Sequence, residues 1–293
     1  MGHRANYVVI ERGETSIGWS RWGGQRIVAD LLGGPEAAAE ALRPSEPPPP
    51  NTVEALQWRG VVRDDELMSD VYCEGAAVID HDRRVLLAFE RPDDYGTFVD
   101  GLAGLVEAWP GWRVRWAFDG ILDVAEYLGL DAGPLRREVP DPAKLPDVSA
   151  LFRGPGRLAD WPDDPEEGAL SIRRPDGSLE LYLAGYDPTA IAYTTAEQVA
   201  SLGPGFAGLE RTQLPRWGVH LDPAARAAAL WCIDRLEGAL RDRSVHWPGW
   251  TWTLWGGDIR RQLDACGGAL RVPPLPSRLR HMKAVGVETI AVI

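Results

Sequence analysis

The chain has 293 residues, 45% hydrophobic and 25% charged, which allows one large domain or two ordinary ones and sets aside disordered, collagen-like and coiled-coil classes. Acids outnumber bases 43 to 31, for a formal charge of −12. That balance speaks against a general nucleic-acid binder, which must neutralise phosphates, and against docking on anionic lipid.

Two strand-like runs, 6–11 and 15–20, flank Arg12-Gly13-Glu14 and predict a hairpin. Gly34-Pro35 opens a short helix over 36–42, and Pro44 to Asn51 predicts an extended polyproline connector. A second hairpin is expected from 75–79 and 85–89 around Asp80-His81-Asp82-Arg83. A helix over 95–108, a strand over 112–118 and a helix over 121–128 follow. The stretch 134–167 is rich in proline and charge and predicts a boundary. Beyond it come a hairpin from 170–172 and 179–183 around Pro175-Asp176-Gly177, a strand at 191–193 and a helix over 195–202. A long alanine-rich helix over 223–240, a strand over 250–255 and a helix over 259–266 complete the reading.

Trp109-Pro110-Gly111-Trp112 recurs as Trp247-Pro248-Gly249-Trp250. Each copy lies between a helix and a tryptophan-bearing strand, and a further helix follows with Asp119 or Asp258 at its start. Ile10 with Ile172, Leu42 with Leu202, and Asp80…Arg84 with Asp222…Arg226 align in the same order. The expected fold is therefore α+β, two similar hairpin-and-helix units from an internal duplication packed about a pseudo-twofold axis. The units are an acidic repeat at 1–135, a connector at 136–167, a second repeat at 168–270 and an extension at 271–293. Divided this way, residues 1–135 hold 23 acids and 12 bases (−11), and the remainder 20 and 19 (−1).

Of the 31 bases only Lys144 and Lys283 are lysines, leaving 29 arginines, and Asn6 and Asn51 are the only asparagines. This composition predicts a GC-rich bacterial source. Cys73, Cys232 and Cys266 are widely spaced and form no C-x-x-C pair, so neither a disulfide framework nor a zinc site is expected. No histidine spacing points to a metal, and no motif to a cofactor. The start Met1-Gly2-His3-Arg4-Ala5-Asn6 runs into an apolar strand without a signal-peptide pattern, and no uncharged apolar run approaches ~18 residues; a cytoplasmic protein is expected.

Candidate chemistry is sparse. Asp80 and His81 place an imidazole beside carboxylates in a turn, and Asp258 opens a helix. Trp112 and Trp116, and Trp250 with Trp252 and Trp255, form aromatic strips able to line a binding face. Asp64, Asp65 and Glu66 form an exposed acidic run. Walker, dinucleotide and nucleophile-elbow motifs are missing. Two functions follow. One is an immunity-like binding or inhibitor protein that engages a more basic protein through its acidic N-terminal half. The other is an enzyme on a small molecule or glycan, with a tryptophan-lined pocket between the repeats and Asp80, His81 or Asp258 in its chemistry.

Overall fold

The computed structural model describes residues 3–43, 45–46, 60–69, 72–136, 151–155, 168–185, 188–189, 191, 194–236 and 238–279. The chain divides into two compact units: Met1–Arg137 with Pro276–Val287, and Glu138–Leu275 with Glu288–Ile293.

The first unit opens with the hairpin β1 (Ala5–Glu11) and β2 (Glu14–Ser20), followed by α1 (Ile27–Leu31), α2 (Pro35–Ala41) and β3 (Val62–Asp64). The hairpin β4 (Gly75–Asp80) and β5 (Val85–Phe89) precedes α3 (Tyr95–Ala108), β6 (Arg113–Trp116) and α4 (Ile121–Tyr127). The sheet order is β3-β2-β1-β4-β5-β6, with β1 parallel to β4 and β5 parallel to β6. Every residue of β4 and β5 is buried, as expected of central strands covered on both faces. Asp94 caps α3 by accepting the Thr97 amide at 2.8 Å, and the helix buries Phe98, Val99, Leu102 and Leu105. Such apolar spacing, not propensity, fixes the helix, since isolated helices of this length are marginal.

The second unit contains β7 (Phe152–Arg153), β8 (Gly168–Arg173), β9 (Leu179–Ala184), α5 (Ala196–Ala200), β10 (Leu209–Glu210), β11 (Trp217–Asp222) and β12 (Ala227–Cys232). It continues through α6 (Ala239–His246), β13 (Thr251–Leu254), α7 (Ile259–Ala265) and β14 (Leu270–Arg271). Its sheet reads β7-β9-β8-β11-β12-β13, with β8 parallel to β11 and β12 parallel to β13; β10 and β14 form a separate parallel pair. The two six-stranded mixed sheets are alike in order and direction, as an internal duplication requires. They differ at one edge. β3 follows its first hairpin in the chain, whereas β7 precedes it, yet each lies antiparallel to the second strand of that hairpin.

Local geometry repeats with the topology. Asp80 and Asp222 each start a four-residue turn, accepting the Arg83 amide at 2.8 Å and the Ala225 amide at 3.0 Å. The turns end in left-handed arginines, Arg84 at φ 51° and Arg226 at φ 50°. In both tryptophan tetrapeptides the second indole residue donates its amide to the first one's carbonyl, at 3.1 and 3.2 Å. The ring centroids lie 4.9 and 4.8 Å apart, edge to face. Trp109 Nε1 donates to the Leu31 carbonyl at 2.7 Å, and Trp247 Nε1 to that of Ile191 at 3.2 Å.

Four expectations are corrected. The helix over 223–240 is instead the β11–β12 turn, strand β12 and the approach to α6. Ile191 is helical rather than the start of a strand, and 192–193 lie outside the described residues. Parallel register pairs Ile79 with Val9 and its counterpart Leu221 with Ile172, so Val9, one residue earlier than Ile10, matches Ile172. Asp258 caps α7, whereas Gly120 holds that position before α4 and Asp119 stands one residue earlier. Of the polyproline stretch, only Ser45 and Glu46 are described.

Candidate functional site

The acidic run lies at an edge of the first sheet. Asp64 ends β3, and its Oδ1 accepts the amides of Asp65 at 2.8 Å and Glu66 at 3.4 Å, so the local turn sets its orientation. Among the described residues none of the three carboxylates is ion-paired within 4 Å. Asp64, Asp65 and Arg63 border a surface hollow of about 290 Å³ whose apolar side is Ile17 with Leu128 and Leu130, the residues that follow α4. Leu130 is 47% exposed. The arrangement joins an acidic rim to an apolar wall.

The Asp80-His81 pair is brought together by its turn and spent on structure. Asp80 is 1% exposed; beyond the Arg83 amide it accepts the Tyr127 hydroxyl at 2.6 Å. Burial and that contact push the Tyr127 phenol up. His81 packs edge-on against Trp112 at 5.2 Å. The neighbouring Asp82 accepts the amides of Arg12 and Gly13, at 2.8 and 2.7 Å, and these hold its carboxyl below the usual range. Asp258 is likewise occupied, bonding the Arg260 amide at 3.2 Å and its guanidinium at 2.6 Å.

The aromatic strips divide between core and rim. Trp116 and Trp252 are buried, Trp116 edge-on to Phe98 at 5.3 Å and Trp252 edge-on to Trp247 at 5.4 Å. The buried Trp252 Nε1 has no hydrogen-bond partner among the described residues. Trp112, Trp250 and Trp255 are half-buried. Trp255 alone of its group faces an imidazole, stacking near-parallel to His220 at 6.3 Å.

That contact marks a polar cluster in the second unit which sequence reasoning missed. Trp231 Nε1 donates to Gln262 Oε1 at 2.7 Å and so fixes the amide's orientation. Gln262 Nε2 then shares its protons among the carbonyls of Val219 at 2.9 Å and Ala169 at 3.1 Å and Ser171 Oγ at 3.2 Å. Gln262 passes so close to β11 that a Cβ on Gly218 would stand 1.9 Å from its Oε1, which makes glycine obligatory there. Ser171 donates its hydroxyl to the Val219 carbonyl at 3.1 Å and lies 2.9 Å from His220 Nδ1. With the hydroxyl proton so placed, Nδ1 is the donor and Nε2 keeps a lone pair. Burial, then the Arg173 charge, lower the His220 pKa, while Asp222 opposes them. Burial raises that of Cys266, with Ser171 and Arg173 opposing, which keeps it an unreactive thiol. Single-residue spacing carries no signal for this group, because its members come from β8, β11 and α7. The register argument that could have assembled it needed the β11–β12 hairpin in place of a helix.

A second perturbed group is Glu90, just after β5. Its carboxylate accepts the Val28 amide at 3.0 Å, and burial raises its pKa. Among the described residues no set of three His, Cys, Asp or Glu side chains is placed to hold a metal, and no helix is long and apolar enough to cross a membrane. No protein-family model, curated protein or solved structure matches this chain.

Proposed function

We propose that the protein is a bacterial, cytoplasmic binding protein whose N-terminal unit engages a more basic protein partner. The hollow at the β2–β3 edge carries this reading. Its wall of Leu128 and half-exposed Leu130 suits the aliphatic stem of an arginine or lysine, and the carboxylates of Asp64 and Asp65 suit the cation at its end. Carboxylates left unpaired at a rim contribute chiefly to steering and partner choice, as an inhibitor or immunity-like role demands. The buried free thiols and the arginine-rich composition support a reducing bacterial interior.

Calorimetric titration with a short peptide alternating arginine and leucine tests the reading, with its glutamate–leucine counterpart as control. The arginine peptide binds and the control does not, and raising salt weakens the interaction. Asp64→Lys combined with Asp65→Lys lowers affinity about tenfold, roughly 0.7 kcal/mol per charge. Equal binding of both peptides, or an unchanged affinity in the double variant, overturns the reading.

A further inference from the structure

The likeness of the two sheets gives His220, Ser171, Arg173 and Gln262 counterparts that do the same structural job without polar chemistry; only Asp222 keeps an acidic one, Asp80. Through the β4–β5 and β11–β12 turns, His220 corresponds to Val78, Ala227 to Val85 and Ala229 to Leu87. Through the parallel registers, Ser171 corresponds to Val8 and Arg173 to Ile10. The spacing from the tetrapeptides pairs Gln262 with Val124 and Trp255 with Ala117. Val8, Val78, Val85, Leu87 and Val124 are all buried in the first unit. The fold is therefore built without the polar set, so sheet packing alone does not account for a satisfied polar network at this place in the second unit.

The second unit also differs in bulk. Ala227 and Ala229 stand opposite Asp222 and His220 on the neighbouring strand, where the first unit has valine and leucine, so methyl groups floor the strip beside the imidazole. Arg173, half-buried, gives one N–H to the Ala265 carbonyl at 2.9 Å, and among the described residues no carboxylate lies within 4 Å of it. Asp222, next along the sheet, keeps its Oδ1 for the Ala225 amide. His220 is anchored through Nδ1, and Nε2 has no partner among the described residues.

We propose that this strip of the second unit binds a small organic carboxylate with an apolar body. The carboxylate takes the free N–H groups of Arg173 and the Nε2 side of His220, and the body lies over the half-buried Ala227 beside Trp255. The serine suits both states of the ring: Ser171 Oγ accepts from Nδ1–H in neutral imidazole and in imidazolium, so proton uptake at Nε2 needs no rearrangement. The charges acting on His220 are Arg173 from β8 and Asp222 from its own strand; α7 adds Gln262 and, just after it, the Cys266 thiol, both turned to Ser171, and β12 sets Ala229 opposite the ring, with Trp231 bonded to Gln262. An anion on Arg173 offsets that arginine's repulsion of the imidazolium, which adds to burial in holding the ring neutral, so binding carries a proton and strengthens as pH falls.

The test is a titration of the full chain with benzoate, followed by the ring resonances of His220 and by tryptophan fluorescence, with acetate and inorganic phosphate as comparators. Benzoate shifts the His220 ring and raises its titration midpoint, and acetate does so more weakly. His220→Val installs the residue that the first unit carries at this place and retains the circular dichroism spectrum, and it loses about tenfold in benzoate affinity. Arg173→Gln, at a half-exposed position, does the same and serves if the valine variant misfolds. Absence of a benzoate response, undiminished binding in both variants, or phosphate binding as tightly as benzoate overturns the proposal.

Discussion

Glu90 shows how one side chain can hold a fold together at a cost that pH reveals. Its carboxylate ties the end of β5 to the first turn of α1 through the Val28 amide. Burial raises its pKa, Asp30 and Asp93 add to the shift, and the amides of Val28 and Ile27 oppose it. A carboxyl whose folded pKa exceeds the unfolded value binds more protons in the folded state, so its contribution falls as pH rises from the unfolded value of about 4.5 through the folded one. Glu90→Gln keeps an oxygen acceptor for Val28 and removes the buried charge. Chemical denaturation should find the variant more stable at pH 7 by about 1 kcal/mol, with the gain vanishing below pH 4.5. A variant less stable at neutral pH would mean that the ionised carboxylate, not merely an acceptor, is required. Nothing in the sequence distinguishes this glutamate from surface acids, and the second unit has Cys232 at the corresponding place.

Legibility at the scale of elements followed how local the chemistry is. The tetrapeptide Trp-Pro-Gly-Trp could be read directly, because proline presets one dihedral, glycine permits another, and two indoles within four residues must pack on each other. The helix expected over 223–240 failed for the opposite reason. Alanines 227–229 favour helix, but β12 is hydrogen-bonded along its length between β11 and β13, and pairing on both sides outweighs intrinsic preference. Polar residues suffered similarly: His220 and Gln262 are 42 residues apart in sequence, and only the sheet and α7 bring them together. The tetrapeptide gives a sharp prediction. Gly111 and Gly249 adopt φ of 79° and 76°; a Cβ on Gly111 meets nothing within 4 Å, and one on Gly249 meets only Arg226 Nη1, at 3.4 Å. Gly111→Ala and Gly249→Ala should each cost about 1–2 kcal/mol through the dihedral alone, read from urea midpoints at unchanged slope. Asparagine at either place should cost less than alanine, an ordering that steric crowding would not produce.

For the whole molecule, the structure redistributes the charge that the sequence divided unevenly. Cut at residue 135, the halves carry −11 and −1. The compact units are bounded differently. The first takes Arg136 and Arg137 and also Pro276–Val287 with Arg278, Arg280 and Lys283, giving 23 acids against 17 bases; the second has 20 against 14. Each unit is thus −6, and the case for a basic partner rests on the unpaired carboxylates at the β3 edge rather than on a net imbalance. Residues 276–279 belong to the first unit: Arg278 grips both oxygens of Glu107 on α3 at 2.5 Å, and Leu279 is buried to 4% exposure. The ion pair is solvent-exposed and contributes little, so the buried leucine is the anchor. Leu279→Ala should therefore destabilise the first unit by roughly 2 kcal/mol, whereas Arg278→Gln should cost under about 1 kcal/mol. Amide hydrogen exchange localises the effect. Protection should fall in β1 and β4 while β8 and β11 keep theirs, and equal loss in both sheets would show that the units unfold as one.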